Sequence, residues 1–159
     1  MSTIRSLAGL GIFAAVVFAV AGLGALITGP SIPGWYANLK RPSFTPPNWV
    51  FGPAWTILYL TIAVAAWLVW RQGGFTAQRS AMALFAVQLA LNAAWTPVFF
   101  GAHKIGAAFA VIVFLWAAIL ATLVAFWRVT PLAGVLFVPY QLWVTFAGVL
   151  NFALWRLNR

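Results

Sequence analysis

Residues 105–127 read IGAAFAVIVFLWAAILATLVAFW, with no charged side chain until Arg128 and no proline until Pro131. Roughly 20 apolar residues let a helix cross the hydrocarbon core of a bilayer. In lipid a helix also satisfies its own backbone polar groups, which an open strand cannot do. The stretch therefore predicts a membrane span, and four similar runs fill most of the chain. The first extends from about Leu7 to Thr28 and stops at Gly29-Pro30. The second covers 49–70 and ends at Arg71 and the Gly73-Gly74 turn. The third covers 80–100, before Gly101 and the His103-Lys104 pair, and the fifth covers 132–155. The expected fold is an all-α integral membrane protein, a single domain over 1–159. It is a bundle of five transmembrane helices with a long ordered loop, 29–48, between the first two. The 7–28 run exceeds the roughly 7–15 residues of a signal-peptide core, so it reads as a retained helix.

Composition agrees. Of 159 residues, 65% are hydrophobic and 6% charged, with a mean hydropathy of +1.02. A soluble domain carries about 25% charged residues. Nine Lys and Arg stand against no Asp or Glu, one His and no Cys. Without a carboxylate side chain there is no acid–base pair, no Ser-His-Asp triad, no oxygen cage for calcium and no membrane carboxylate to relay protons. Without Cys there is no thiolate, disulfide or structural zinc. The basic residues are scattered singly, which argues for lipid headgroups and against nucleic acid. Five spans place Arg5, Arg71, Arg79 and Arg128 on one side, and Lys40, Arg41, Lys104, Arg156 and Arg159 on the other. That balance assigns no orientation. The pairs Trp70-Arg71, Trp127-Arg128 and Trp155-Arg156 read as interfacial anchors.

The most informative segment is 34–59, GWYANLKRPSFTPPNWVFGPAWTILY. Its loop portion is aromatic and stiffened by Pro42, Pro46 and Pro47, which reduces the entropy lost on packing. It is expected to fold over the helix ends as a lid, or else to dip its rings into headgroups. On the second helix Trp55 and Tyr59 are four apart and share a face. On the third, Gln88, Asn92, Trp95 and Phe99 form a stripe at helical spacing, and on the fifth Trp143, Ala147 and Asn151 do the same, with Pro139-Tyr140 one turn earlier. Amides in a membrane helix face the bundle interior far more often than lipid. Singly, each amide reads as an interhelical hydrogen bond and each indole as core. Together they describe an amphipathic pocket. Ala86, Ala90 and Ala94 lie roughly opposite Asn92, where small side chains permit close helix approach, to a second subunit or to another helix of the same chain.

Three segments carry a family resemblance. WYANLKRPSFTPPNWVFGPAW (35–55), LNAAWTPVFFG (91–101) and PYQLWVTFAGVLNFALWRLN (139–158) resemble the TspO/MBR family of translocator proteins, or peripheral-type benzodiazepine receptors. The resemblance runs from about Gly34 to Asn158. It implies a five-helix bundle, often dimeric, in a multi-pass membrane location, here a bacterial cell membrane. The implied function is a receptor, carrier or sensor for tetrapyrroles such as protoporphyrin IX and haem, which are ligands rather than required cofactors. Sterols such as cholesterol and benzodiazepine-type drugs are further implied ligands. By match to the family pocket, the implied binding residues are Trp35, Tyr36, Pro46 and Trp49 from the loop side. From the helices they are Trp55, Tyr59, Asn92, Trp95, Trp143, Ala147, Leu150 and Asn151. Lys40 and Arg41 are candidates to meet porphyrin propionates. A second implied function is light- and oxygen-dependent protoporphyrin breakdown, with Trp55 and Trp143 as the catalytic indoles. The family's sterol motif near the C-terminus wants a Tyr where this chain has Phe152, between Leu150 and Arg156. His103, alone in a short loop, is not read as a metal ligand. Without repeats or membrane carboxylates, a secondary transporter is the weakest reading.

Overall fold

A computed structural model describes residues 3–159. Five long helices carry the fold: α1 (Thr3–Ser31), α2 (Asn48–Trp70), α3 (Arg79–Thr96), α4 (Ile105–Val129) and α5 (Pro131–Leu157). A single helical turn, Gly74–Ala77, precedes α3, and a π-helical turn, Pro97–Gly101, extends it. The shortest span has 23 residues, and at about 1.5 Å per residue it crosses a core of roughly 30 Å. The chain is a multi-pass integral membrane protein.

Two boundaries differ from the sequence reading. α1 does not stop at Gly29-Pro30 but continues through Pro30 to Ser31. The ring of a proline holds φ near a helical value, so in a last turn it costs one hydrogen bond without redirecting the chain. The third span is α-helical only to Thr96. Pro97 has no N–H, and the chain re-forms with longer steps, Ala102 N–H donating to the Pro97 carbonyl (2.7 Å) and Lys104 N–H to that of Val98 (3.0 Å). Gly73 (φ 131°) and Gly74 (φ 73°) make the α2–α3 reversal in backbone conformations that side chains disfavour.

Around the bundle the order is α1, α2, α5, α4, α3, and back to α1. The half away from the long loop is solid. There Phe13, Phe85, Phe126 and Phe137 stack or meet edge to face at centroid distances of 5.0–6.1 Å, an arrangement aromatic quadrupoles favour. Trp67 Nε1 donates to the Ser6 carbonyl (2.8 Å), and Gly9 packs directly on the Trp70 ring. Trp70 is thus half-buried against α1 rather than a simple headgroup anchor, and Arg71 lies over Trp67 instead (4.7 Å). Trp127 is exposed, and Trp155 has Arg159 over its ring at 5.0 Å. The half nearest the loop is hollow.

The loop, 32–47, packs onto the helix ends, with Ile32 and Tyr36 reaching the interior. Tyr36, in a 3-10 turn over Tyr36–Asn38, is buried. Trp35 stacks on His103 (4.2 Å, 12°) and meets Phe99 edge-on (5.5 Å). His103 holds a left-handed backbone (φ 57°). Ala86 and Ala90 face outward and Ala94 is half-buried, which removes a contact within the chain for the first two.

Candidate functional site

The hollow half encloses a cavity of about 750 Å³, within the usual range for small-molecule sites. Its walls come from the second half of α1, the first half of α2, the α3 end with its π turn, Ile112 and Leu115 of α4, and the second half of α5. Four indoles line it, Trp49 at the rim and Trp55, Trp95 and Trp143 deeper in. Trp55 stacks on Tyr59 (5.2 Å, 28°) and meets Trp143 edge-on (6.4 Å). Across the cavity Trp95 stacks on Phe99 (4.9 Å, 21°).

The amides are fixed by two hydrogen-bond chains. In the first, Tyr59 Oη donates to Asn92 Oδ1 (2.9 Å), Asn92 Nδ2 to Tyr140 Oη (2.7 Å), and Tyr140 Oη to Gln88 Oε1 (3.1 Å). Gln88 is fully buried and its Nε2 has no partner. In the second, Trp95 Nε1 donates to Asn151 Oδ1 and Asn151 Nδ2 to the Ile105 carbonyl, both at 3.0 Å. Each chain ties α3 to α5, the first also reaching α2 and the second α4. Both orient an amide at the cavity wall without using a charge.

Of the residues expected at a site, Tyr36, Trp49, Trp55, Tyr59, Asn92, Trp95, Trp143, Ala147, Leu150 and Asn151 line this cavity. Trp49 does so from the rim, 74% exposed. Four do not line it. Trp35 is turned toward Phe99, Phe100 and His103, because that aromatic cluster offers it a closer-packed seat. Pro46 stays in the loop. Arg41 sits over the outer face of Tyr36 (5.6 Å), one ring away from the interior. Burial pushes the Tyr36 phenol above its ordinary pKa, and the Arg41 guanidinium offsets part of that rise. Lys40 is held by its backbone: its N–H donates to Asn158 Oδ1 and its carbonyl accepts from Asn158 Nδ2, both at 2.9 Å.

That pair fastens the loop to the end of α5. Replacing Asn158 by Ala is expected to speed amide exchange across 39–47 about tenfold, while costing under about 1 kcal/mol of global stability, since water replaces surface hydrogen bonds. Hydrogen-exchange mass spectrometry on the loop peptide reads this directly. Unchanged protection there would rule Asn158 out as the fastener.

The sequence reading missed the α1 wall, formed by Phe18, Ala21, Gly22, Gly24, Ala25, Thr28 and Gly29. Its signal was the run of Gly and Ala on the cavity-facing side of the first helix, which resembles ordinary membrane-helix composition. It also placed Pro139-Tyr140 only as one turn before the Trp143 stripe and gave it no role, although Tyr140 is the middle of the Asn92 chain. The Leu150, Phe152 and Arg156 set does not share a face: Leu150 lines the cavity, while Phe152 is 42% exposed on the outside.

Comparison with known proteins places the chain in a family. The profile of the TspO/MBR family matches residues 13–156. Protein CrtK of Rhodobacter capsulatus is 44% identical over 147 residues, 90% of this chain and 89% of that protein. A translocator protein of Homo sapiens is 44% identical over 126 residues (78% and 75%), and a tryptophan-rich sensory protein of Cereibacter sphaeroides 47% over 124 (78% and 77%). With the family profile covering most of the chain and full-length relatives above 40% identity, this chain belongs to the TspO/MBR family.

Proposed function

We propose that the cavity binds a large, flat, apolar ring system, a tetrapyrrole such as protoporphyrin IX or haem, and that the protein serves as its membrane receptor, carrier or sensor. The observation that carries this reading is the set of three indoles, Trp55, Trp95 and Trp143, facing one cavity of about 750 Å³ whose amides are already oriented. Indole faces stack on a macrocycle, and fixed amides meet its polar edge without reorganisation. Arg41 and Lys40, outside the wall but on the loop side, supply the positive charge that two propionates require. Sterols and benzodiazepine-type drugs are smaller apolar ligands of the same class of site. The outward Ala86 and Ala90, with Ala94, are assigned to a homodimer contact.

The test is titration of the purified protein with protoporphyrin IX in detergent, in the dark and then in light. Saturable quenching of tryptophan fluorescence is expected, weakened about tenfold by Trp143→Ala, the loss of one stacked aromatic face. Quenching that matches empty detergent micelles and ignores the substitution would end the reading. A second reading, photochemical breakdown of protoporphyrin with oxygen, draws on the Trp55–Trp143 contact at the wall. It requires loss of the porphyrin band in light that disappears when both indoles become Phe.

A further inference from the structure

We infer that the cavity is entered sideways from the bilayer, through a gap between the second half of α1 and the first half of α2. A membrane-dissolved flat apolar ligand then reaches it without passing the loop. The inference rests on the ligand-binding reading of the cavity, and its test separates the two.

α1 changes partner along its length. Up to Phe18 it is held against α2: Trp67 Nε1 donates to Ser6, Gly9 packs on Trp70, Phe13 meets Trp70 (6.2 Å) and Phe18 meets Tyr59 (6.3 Å). Its buried residues, Gly9, Phe13 and Val17, all fall in this half. Beyond Phe18 it leans on the α3 end instead. Gly24 lies near Thr96, Ile27 beside Gly101, and Ser31 Oγ donates to the Phe100 carbonyl (2.9 Å). Among the described residues, no side-chain hydrogen bond or ring contact joins this second half of α1 to α2. The two helices are tied at one end, and no such tie joins them at the other.

This untied stretch is the opening, and its rim is small-residue surface. Gly22, Ala25 and Gly29 on α1 and Gly52 and Thr56 on α2 all line the cavity and are all exposed. A Cβ built on Gly22, Gly29 or Gly52 would meet nothing within 4 Å. The rim is apolar: Thr56 Oγ1 donates to the Gly52 carbonyl (2.9 Å) in its own helix, and no charge occurs between Arg5 and Lys40. Such an edge at membrane depth is wetted by acyl chains rather than water. The route from water is the obstructed one. There Tyr36 is buried, Trp35 is stacked on His103, and Asn158 holds Lys40 at both backbone atoms.

The test uses the full chain in lipid vesicles carrying protoporphyrin IX in the bilayer, with binding followed by stopped-flow tryptophan quenching. The double substitution Gly22→Phe/Gly52→Phe places rings in open space at the rim. It should slow both association and dissociation about tenfold. Loss of a ligand contact would instead speed dissociation. Asn158→Ala, which frees the loop, should leave the association rate as it was. Unchanged rates in the double variant, or several-fold faster entry in Asn158→Ala, would overturn the inference.

If the parent protein binds no porphyrin, the ligand reading falls and thiol labelling decides the gap. The chain has no Cys, so Ala147→Cys supplies a single thiol on the cavity wall. A membrane-partitioning maleimide should label it, and Gly22→Phe/Gly52→Phe should prevent that. Equal labelling with and without the rim substitutions would show that entry lies elsewhere.

Discussion

Asn92→Leu is expected to destabilise the bundle by about 2 kcal/mol and to weaken protoporphyrin binding about tenfold. Asn92 stands between two tyrosines. Its Oδ1 accepts from Tyr59 and its Nδ2 donates to Tyr140, which donates onward to Gln88. Leu fills the space but leaves the Tyr59 hydroxyl without its acceptor and the Tyr140 oxygen without its donor. Hydrogen bonds between membrane helices average about 0.6 kcal/mol and reach about 1.7. A buried orphan costs about 1–3 kcal/mol, so the orphans set the size of the effect. Because the chain acts as a unit, Tyr140→Phe combined with Asn92→Leu should cost less than the sum of the two. Unfolding titrations in mixed detergent micelles measure both quantities. A single-variant loss below about 0.5 kcal/mol, or strict additivity, would mean that the chain of bonds carries little of the stability.

The second large effect concerns the α4–α5 hairpin. A Cβ on Gly134 would lie 2.6 Å from Trp127 Cε3, 2.8 Å from its Cβ and 2.9 Å from its Cα. A ring can rotate away but a backbone Cα cannot, so Gly134→Ala forces the hairpin apart. Overpacking costs about 1–3 kcal/mol and occasionally more, against about 1 kcal/mol gained in helix propensity. With backbone among the clashing atoms, we expect a net loss of about 2 kcal/mol, at the upper end of that overpacking range. Gly11→Ala is the control. Nothing lies within 4 Å of its Cβ, so only the propensity gain of up to about 1 kcal/mol remains. Equal stabilities for the two variants would show that the Trp127 contact yields freely.

Much of the site was legible because helical spacing is local information. Trp55 and Tyr59, Asn92 and Trp95, Trp143, Ala147 and Asn151 are three or four apart, so a helix must put them on one side. Such side chains have reason to face inward in lipid. All of them line the cavity. The same rule separates Leu150 from Phe152, since residues two apart cannot share a helix face. The loop was less legible. Proline and aromatic content marks it as ordered, but nothing local says that Trp35 prefers His103 and Phe99 to the cavity, or that Asn158 at the far end of the chain holds Lys40.

The number and extent of the spans, the membrane location and the inward stripes follow from sequence alone, because run length and residue period act within one helix. Which half of the bundle is hollow, and which residues of α1 face the hollow, depend on tertiary structure. A cavity is the space that packing leaves between helices. It is decided by where Phe13, Phe85, Phe126 and Phe137 meet and where the glycines of α1 have nothing to meet, and no single helix contains that information.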